Sequence, residues 1–305
     1  MLRYTVQRLF WMVPVLFGVG TITFLLMHAV PGGPWDEKKN LPPHVVANLN
    51  HRYDLDEPLW AQYGKFLGSA VRGDLGISYT NQDRDVVEVI RQGLPATMIL
   101  AGLAFLIAVG AGIPLGVMAA ARKHSAIDFA SIALATVFAS VPGFILGILL
   151  VMPFSVAWHL LPSGGWGSPS HVVLPALALS LLPMTFIARI TRSSVLEVVE
   201  QDYVRTALAK GMTPSVVRFR HVLRNALVPI VTIIGAEAGA LLTGTFIIET
   251  VFSVPGIGRL LVQGIMQRDY GLITGMVLFY AVVITVVNLI TDLLYAAVDP
   301  RIRYS

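Results

Sequence analysis

The chain has 305 residues, of which 55% are apolar and 13% are charged, with a mean hydropathy of +0.71 and a formal net charge of +4. A soluble domain has about 25% charged residues, so this composition indicates a membrane protein with several spans. No cysteine is present, which excludes disulfides, thiolate metal sites and a cysteine nucleophile. The mild positive charge indicates basic residues beside membrane spans rather than a nucleic-acid partner, because no basic run with interleaved aromatic residues occurs.

Six apolar stretches predict membrane-spanning helices, because a helix needs roughly 20 mainly apolar residues to cross the hydrocarbon layer. They lie at about residues 9–30, 96–121, 127–157, 172–188, 227–249 and 272–298. The first follows Arg3 and Arg8 as the core of a signal peptide would, but it is too long and no small-residue cleavage site follows. We therefore interpret it as a retained anchor. Five prolines within the spans are interpreted as accommodated kinks: Pro114, Pro142, Pro175, Pro183 and Pro229.

The basic residues of the short connections predict the orientation of the chain in the membrane. Arg122, Lys123 and the basic cluster within 189–224 fall on one side if six helices alternate, together with both termini. The positive-inside rule makes that side cytoplasmic. The chain then divides into residues 1–30, which hold the N-terminal end and first span, an external segment at 31–95, and a five-helix core at 96–305 with a cytoplasmic loop at 189–226.

The external segment is too long for a bare loop and is expected to have its own structure. Helical patterns occur around Val45–Leu49 and over Leu59–Val71, separated by a break at Asp54 and Asp56. One interpretation is a lid over the outer ends of the spans. The other is a contact surface for an external partner, and the two are compatible.

The cytoplasmic loop contains the most informative pattern. Residues 190–210 predict one helix that ends at Gly211, which suits a left-handed C-terminal stop, and a second helix is expected to start at Thr213 and Pro214. Val204, Ala207, Leu208 and Gly211 would form one narrow stripe that another protein could approach closely. Taken alone, the basic segment that follows fits a helix at the lipid headgroup boundary equally well.

The loop resembles a known family in two places. These are Tyr203-Val-Arg-Thr-Ala-Leu-Ala-Lys-Gly211 and His221-Val-Leu-Arg-Asn225-Ala-Leu-Val-Pro229. Both are similar to the EAA loop of ABC importer permeases, in the variant of oligopeptide and dipeptide permeases, where Arg205-Thr206-Ala207 replaces the general Glu-Ala-Ala. Agreement continues at residues 53–59, 73–78, 249–258 and 299–301, so the resemblance extends from residue 1 to 304 and is greatest to the first permease subunit of an oligopeptide importer.

The resemblance implies an all-α, six-helix permease of the type I ABC importer kind, multi-pass in a bacterial inner membrane. Its implied partners are a second homologous permease in a heterodimer, two cytoplasmic ATPases, an external solute-binding protein, a peptide substrate and membrane lipid. No cofactor would be bound by this chain, because ATP and Mg would be held by the ATPases. The sequence agrees, since no G-x-x-x-x-G-K-[ST] phosphate loop occurs. The implied ATPase-coupling residues are Tyr203, Arg205, Thr206, Ala207, Gly211, His221 and Asn225.

Signals for a substrate path are concentrated near the fifth span. Gly235, Gly239 and Gly244 fit helix packing, whereas a carboxylate inside a span suggests a water-filled cavity or a buried partner. Glu237 is therefore a candidate to meet the amino terminus of a peptide. Pro255 and nearby glycines interrupt the helix. The interrupted segment is either a re-entrant turn that lines the external gate or an ordinary interfacial loop. The candidate pathway and gate residues are Glu237, Thr243, Glu249, Phe252, Pro255, Gly256 and Gly258.

Other classes of function have weaker support. The seven histidines show no H-E-x-x-H or paired metal spacing and no G-x-S-x-G elbow occurs, so neither a metal site nor an intramembrane enzyme is predicted. An uncoupled channel or secondary transporter would be favoured by inverted repeats, and the sequence shows none. Nickel and glutathione importers share the permease architecture, so cargo other than oligopeptides or dipeptides remains open.

Overall fold

The computed structural model describes residues 2–35, 41–80, 84–213, 216–217, 222–243 and 245–298. Within these ranges the secondary structure is helical, apart from turns and an isolated bridge between Ile77 and Asp85. The helices in chain order are α1 (Leu2–Ala29), α2 (Pro43–Arg52), α3 (Leu59–Val71), α4 (Val86–Ala121), α5 (Ala126–Ser140), α6 (Gly143–Val151), which continues as a π-helical turn over Met152–Ala157, α7 (Ser170–Val199), α8 (Asp202–Ala209), α9 (Arg224–Thr243), α10 (Thr245–Val251), α11 (Ile257–Met266) and α12 (Tyr270–Val298).

The membrane-spanning helices match the predicted number. Among the described residues, α1, α4, α7, α9 and α12 are long and apolar enough to cross a membrane, and α5 with α6 makes a sixth span if this bent pair is counted as one. The prediction of a helical, multi-pass membrane protein is therefore confirmed. The fourth span is longer than predicted, because α7 continues to Val199.

The third span is not one kinked helix, so the interpretation of Pro142 as an accommodated kink is wrong. α5 ends at Ser140 and α6 begins at Gly143, with an angle of 106° between them. Val141 has extended dihedral angles, φ −104° and ψ 124°. A residue before proline is pushed out of the helical region by the proline ring, so the chain turns here. Pro175, Pro183 and Pro229 do lie inside continuous helices, as predicted.

By their internal contacts, the residues form two compact units. Among the described residues, the first unit contains those within 97–254 and 286–298, and the second contains those within 2–96 and 255–285. The sequence-based division at 30 and 95 concerns membrane topology and stays a prediction.

Close helix packing in the first unit depends on glycine. A Cβ built on Gly116 in α4 would lie 2.5 Å from the carbonyl oxygen of Ala188 in α7, and one on Gly235 in α9 would overlap the side chain of Thr291 in α12. Only a residue without a side chain lets these helices approach so closely. The packing interpretation of Gly235 is confirmed, while Gly244 lies outside the described residues.

The second unit contains the external helices. The two predicted helical patterns appear as α2 and α3, and α3 packs on the outer end of α1, where Thr21 Oγ1 lies 2.6 Å from the hydroxyl of Tyr63. Phe24 of α1 stacks on Phe66 with ring centroids 5.8 Å apart. This arrangement agrees with the lid interpretation for the first span.

A buried carboxylate joins the loop before α4 to the start of α12 in this unit. Asp269 is fully buried and accepts hydrogen bonds from Ser78 Oγ and from the backbone N–H groups of Tyr79, Thr80 and Leu272. Four donors offset the cost of burying the charge. Burial, with Asp269 nearby, raises the pKa of the Tyr79 hydroxyl to about 12.

Candidate functional site: the loop at 189–226

The loop contains two helices where one was predicted over residues 190–210. α7 ends at Val199, Gln201 has extended dihedral angles of φ −73° and ψ 145°, and α8 begins at Asp202. The single-helix prediction is wrong because periodicity does not register a two-residue break between helices of similar composition. The break lets α8 run in its own direction and turn an apolar side toward the rest of the first unit.

The buried side of α8 consists of Val204 and Ala207, which are 2% and 8% exposed. They belong to an apolar cluster that also contains residues of α4, α7, α9 and the preceding connection: Ala120, Val195, Val217, Val222, Ala226 and Ile230. The predicted outward stripe through Val204, Ala207, Leu208 and Gly211 is therefore wrong for its first two members. A short amphipathic helix at a protein surface is stabilised when its apolar residues are buried against the rest of its chain. In α8 those residues are Val204 and Ala207.

The exposed side of α8 presents Tyr203, Arg205, Thr206 and Leu208. The Asn225 side-chain amide at the start of α9 donates a hydrogen bond of 2.9 Å to the Tyr203 hydroxyl. Two predicted coupling residues, 22 positions apart in sequence, are thus brought together on the surface. His221 lies outside the described residues.

Gly211 ends α8 as predicted. Its φ is +82°, in the left-handed region, and no atom outside its chain neighbours lies within 4 Å of a Cβ built there. The Met212 N–H bonds to the Ala207 carbonyl at 3.3 Å and the Gly211 N–H bonds to the Leu208 carbonyl at 2.9 Å, which is the Schellman pattern. Met212 packs on the cluster around Ala207. Glycine is required at 211 by backbone conformation and not by lack of space.

Two ion pairs beside this loop were not predicted. The Asp128 carboxylate is buried, accepts hydrogen bonds from Nε and Nη2 of Arg192, and accepts one of 3.0 Å from the His124 backbone N–H. Lys123 Nζ lies 3.1 Å from Glu200 Oε1 in an exposed pair. The two pairs fasten the α4–α5 connection to the end of α7. Partners 64 and 77 positions apart leave no local signal in a single sequence.

Two candidate gate residues of the first unit are fully buried. Glu249 Oε1 accepts a hydrogen bond of 2.6 Å from Thr97 Oγ1, and the Phe252 ring lies against Gly147. The Phe252 carbonyl accepts the Gly165 N–H at 2.7 Å. Glu249 and Phe252 therefore tie α4 and the α6–α7 connection to the end of α10.

Glu237 and Thr243 lie on α9, and both are partly buried. The Thr243 hydroxyl bonds back to the carbonyls of Gly239 and Ala240 at 3.2 Å each. A role for Glu237 or Thr243 in a substrate path stays a prediction.

Pro255, Gly256 and Gly258 belong to the second unit. Pro255 is exposed, whereas Gly256 is the N-cap of α11 and Gly258 is buried in its first turn. Ile257 packs with Val86 and Met276 of the same unit. The interruption of the fifth span thus leads directly into a short apolar helix, and a gate function stays a prediction.

Metal-binding side chains do not cluster in the part of the chain that the structure describes. No group of three or more histidine, cysteine, aspartate or glutamate side chains there could hold a metal ion.

Comparison with known proteins identifies the family. Residues 112–304 match the family described as binding-protein-dependent transport system inner membrane component, and residues 1–101 match its N-terminal family. The dipeptide transport system permease protein DppB of Bacillus subtilis (strain 168) is 42% identical over 303 residues, which are 99% of this chain and 98% of that protein. The oligopeptide transport system permease protein OppB of Escherichia coli (strain K12) is 37% identical over 306 residues, the whole of both chains.

Solved structures agree on the fold. An inward-facing structure of the MetNI methionine ABC transporter matches with a TM-score of 0.57 at 19% identity, over 70% of this chain and 97% of that chain. An amino acid ABC transporter with histidines matches with a TM-score of 0.52 at 19% identity, over 69% of this chain and 94% of that chain. The fold is that of type I ABC importer permeases. On the sequence matches, the chain belongs to the binding-protein-dependent inner membrane components, among the oligopeptide and dipeptide ABC importer permeases.

Proposed function

We propose that this chain is one of two permease subunits of an ABC importer that moves oligopeptides or dipeptides across a bacterial inner membrane into the cytoplasm. Full-length similarity to dipeptide and oligopeptide permeases supports the cargo class. A second homologous permease, two ATPases that bind ATP and Mg, and an external solute-binding protein complete the transporter. This chain supplies part of the path and the contact with one ATPase.

The observation on which the proposal rests is the two-sided structure of α8. Its inner side, Val204 and Ala207, is buried among residues of α4, α7 and α9, while its outer side presents Tyr203, Arg205 and Thr206. A short helix with this arrangement has a free surface for a cytoplasmic partner and a rigid connection to three spans. Gly211 and its cap fix where the surface ends.

In the proposed mechanism, closure of the ATPase dimer displaces α8, and the cluster beneath it passes the displacement to the spans. The apolar contacts of Val204 and Ala207 with residues of α4, α7 and α9 hold α8 to these spans, so α8 and its neighbours move as a body. The Asp128–Arg192 pair adds α5 to that body. Differential binding of the ATPases to the two arrangements then shifts the population between inward-open and outward-open states.

Glu237 is proposed to face the substrate path and to bind the amino terminus of a peptide. A carboxylate inside a span is costly unless it faces water or a partner, and Glu237 is only partly buried in this chain. Exchange of Glu237 for Gln would keep the shape and remove the charge. We expect it to raise the KM for peptides with a free amino terminus more than for N-acetylated peptides.

The test is uptake of labelled peptides into proteoliposomes that contain the complete transporter. Arg205→Glu and Thr206→Arg alter the exposed side of α8, and Arg122→Glu is the matched control, since Arg122 is an exposed basic residue outside α8. We expect both α8 variants to assemble but to lose ATP-driven uptake and its coupling to ATP hydrolysis, while Arg122→Glu transports normally. Uptake without ATP, or full uptake in both α8 variants, would move the assignment to a channel or secondary transporter.

Cargo is tested in the same vesicles. Nickel, glutathione and peptides of two to six residues are supplied with the matching binding protein. Transport of nickel or glutathione with no transport of peptides would refute the peptide assignment while leaving the ATP coupling intact.

A further inference from the structure

The external helix α3 has three distinct sides. Tyr63 and Phe66 face α1, where they contact Thr21 and Phe24. Lys65, Ser69 and Gln62 line a cavity of about 270 Å³ on a second side. The third side, which we call the outer apolar side, consists of Trp60, Gly64, Leu67 and Val71, and these four recur at three- and four-residue spacing.

Three of the four residues of the outer apolar side are exposed in this chain, and Leu67 is half-buried. Trp60 is 77% exposed and Val71 is 88% exposed, and a Cβ built on Gly64 meets no atom within 4 Å. Large apolar residues gathered on one side of a helix mark an interaction surface rather than ordinary scatter.

The contacts with α1 place α3 below the outer edge of the membrane. The apolar run of α1 from Leu9 to Ala29 rises about 30 Å, the thickness of the hydrocarbon layer. Phe24 lies about 7 Å below Ala29 along the helix axis, and Gly20 about 13 Å below it. Because Phe66 reaches both of them, the middle of α3 lies at the depth of the outer leaflet.

The polarity of α3 is that of a helix lying in an interface. Lys65 is about 100° around the helix from Gly64 and well away from Val71. Its ammonium group bonds Asp54 and Glu57 at 2.8 Å each, and these carboxylates raise its pKa, so this side stays charged. Amphipathic helices with one such charged side and Trp or Leu on the other lie with the apolar side about 5–10 Å into the headgroup and acyl boundary.

We propose that the outer apolar side of α3, formed by Trp60, Gly64, Leu67 and Val71, inserts into the outer leaflet of the bilayer and contacts lipid acyl chains. At the same depth on α1, Ile22, Leu25 and Leu26 are also exposed and apolar. The external segment is then anchored in the membrane by α3 and is not wholly an aqueous lid.

The chain contains no cysteine, so a single introduced cysteine can be spin-labelled without a background from this chain, and it is labelled before the partner subunits are added. Gly64→Cys and Val71→Cys report on the outer apolar side, and Lys65→Cys is the matched control, adjacent to Gly64 but on the charged side. Each variant is reconstituted with its partner subunits in bilayers. Collision rates with oxygen, which concentrates in lipid, and with a water-soluble nickel complex are measured by electron paramagnetic resonance.

We expect labels at positions 64 and 71 to collide more with oxygen than with the nickel complex, and the label at position 65 to show the reverse. Labels at 64 and 71 that are as open to nickel as the label at 65 would place the surface in water. Labels at 64 and 71 shielded from both reagents would show that a protein partner covers it. Either result overturns the proposal. The measurement needs an assembled complex but no transport, so it is independent of the proposed function.

Discussion

The buried side of α8 makes an unusually sharp prediction for Val204→Ala. The substitution removes two carbons from a side chain that is 2% exposed, which costs about 1.6 kcal/mol at about 0.8 kcal/mol for each buried carbon. A cavity of about 390 Å³ already borders Val204, so the additional cavity term is small. Alanine forms helix better than valine by about 0.5 kcal/mol, which offsets part of the loss. The net expectation is a local destabilisation of about 1 kcal/mol.

Hydrogen exchange of the amides at 204–209, measured in the pair of permease subunits without the ATPases, reports this change. An equilibrium shift of about 1 kcal/mol raises the exchange rate about five-fold when α8 opens locally. Arg205→Ala is the control, because an exposed substitution changes stability by no more than about 0.5 kcal/mol.

The direction of the change in exchange rate shows whether Val204 is buried. If Val204 faced a partner or solvent, only helix propensity would act, and Val204→Ala would slow exchange about two-fold. Slower exchange in Val204→Ala, or faster exchange of equal size in Arg205→Ala, would refute the described orientation of α8.

Three further predictions concern backbone conformation and a buried charge. Gly211→Ala should destabilise the end of α8 by about 1–2 kcal/mol, because φ is +82°, with faster exchange at 207–211 as the readout. Ser253 has a φ of +55°, so Ser253→Gly should raise the thermal midpoint, whereas a fall would show that its side chain is needed. Asp269→Ala leaves four donors without their acceptor and should cost about 3 kcal/mol or more. Proteolysis within residues 74–85 should then accelerate, and an unchanged rate would contradict the described bonds.

The sequence was sufficient for the membrane class, the number of spans and the family. Twenty-residue apolar runs are set by the thickness of the bilayer, so spans can be counted without knowing their neighbours. Gly211 could also be predicted, since its requirement is a local backbone conformation. The same holds for α2 and α3, whose apolar spacing is visible in the sequence.

Other features depend on contacts between distant residues. Whether Ala207 faces a partner or the interior depends on Ala120 and Ile230, which meet it only in the folded chain. Asp128 acquires its role from Arg192, and Glu249 is tied down by Thr97, 152 positions away.

Pro142 illustrates what the sequence predicts and what depends on tertiary contacts. Proline predicts a disturbance of the helix at Val141, but a kink within one span and a 106° turn between two helices have the same local cause. Packing determines whether the chain kinks or turns, because only neighbouring residues in the folded protein can form hydrogen bonds with the backbone groups that the proline leaves free. The sequence by itself determined which segments are helical and apolar. The tertiary structure decided which side of each helix is buried, since burial is a property of pairs of surfaces and not of one segment.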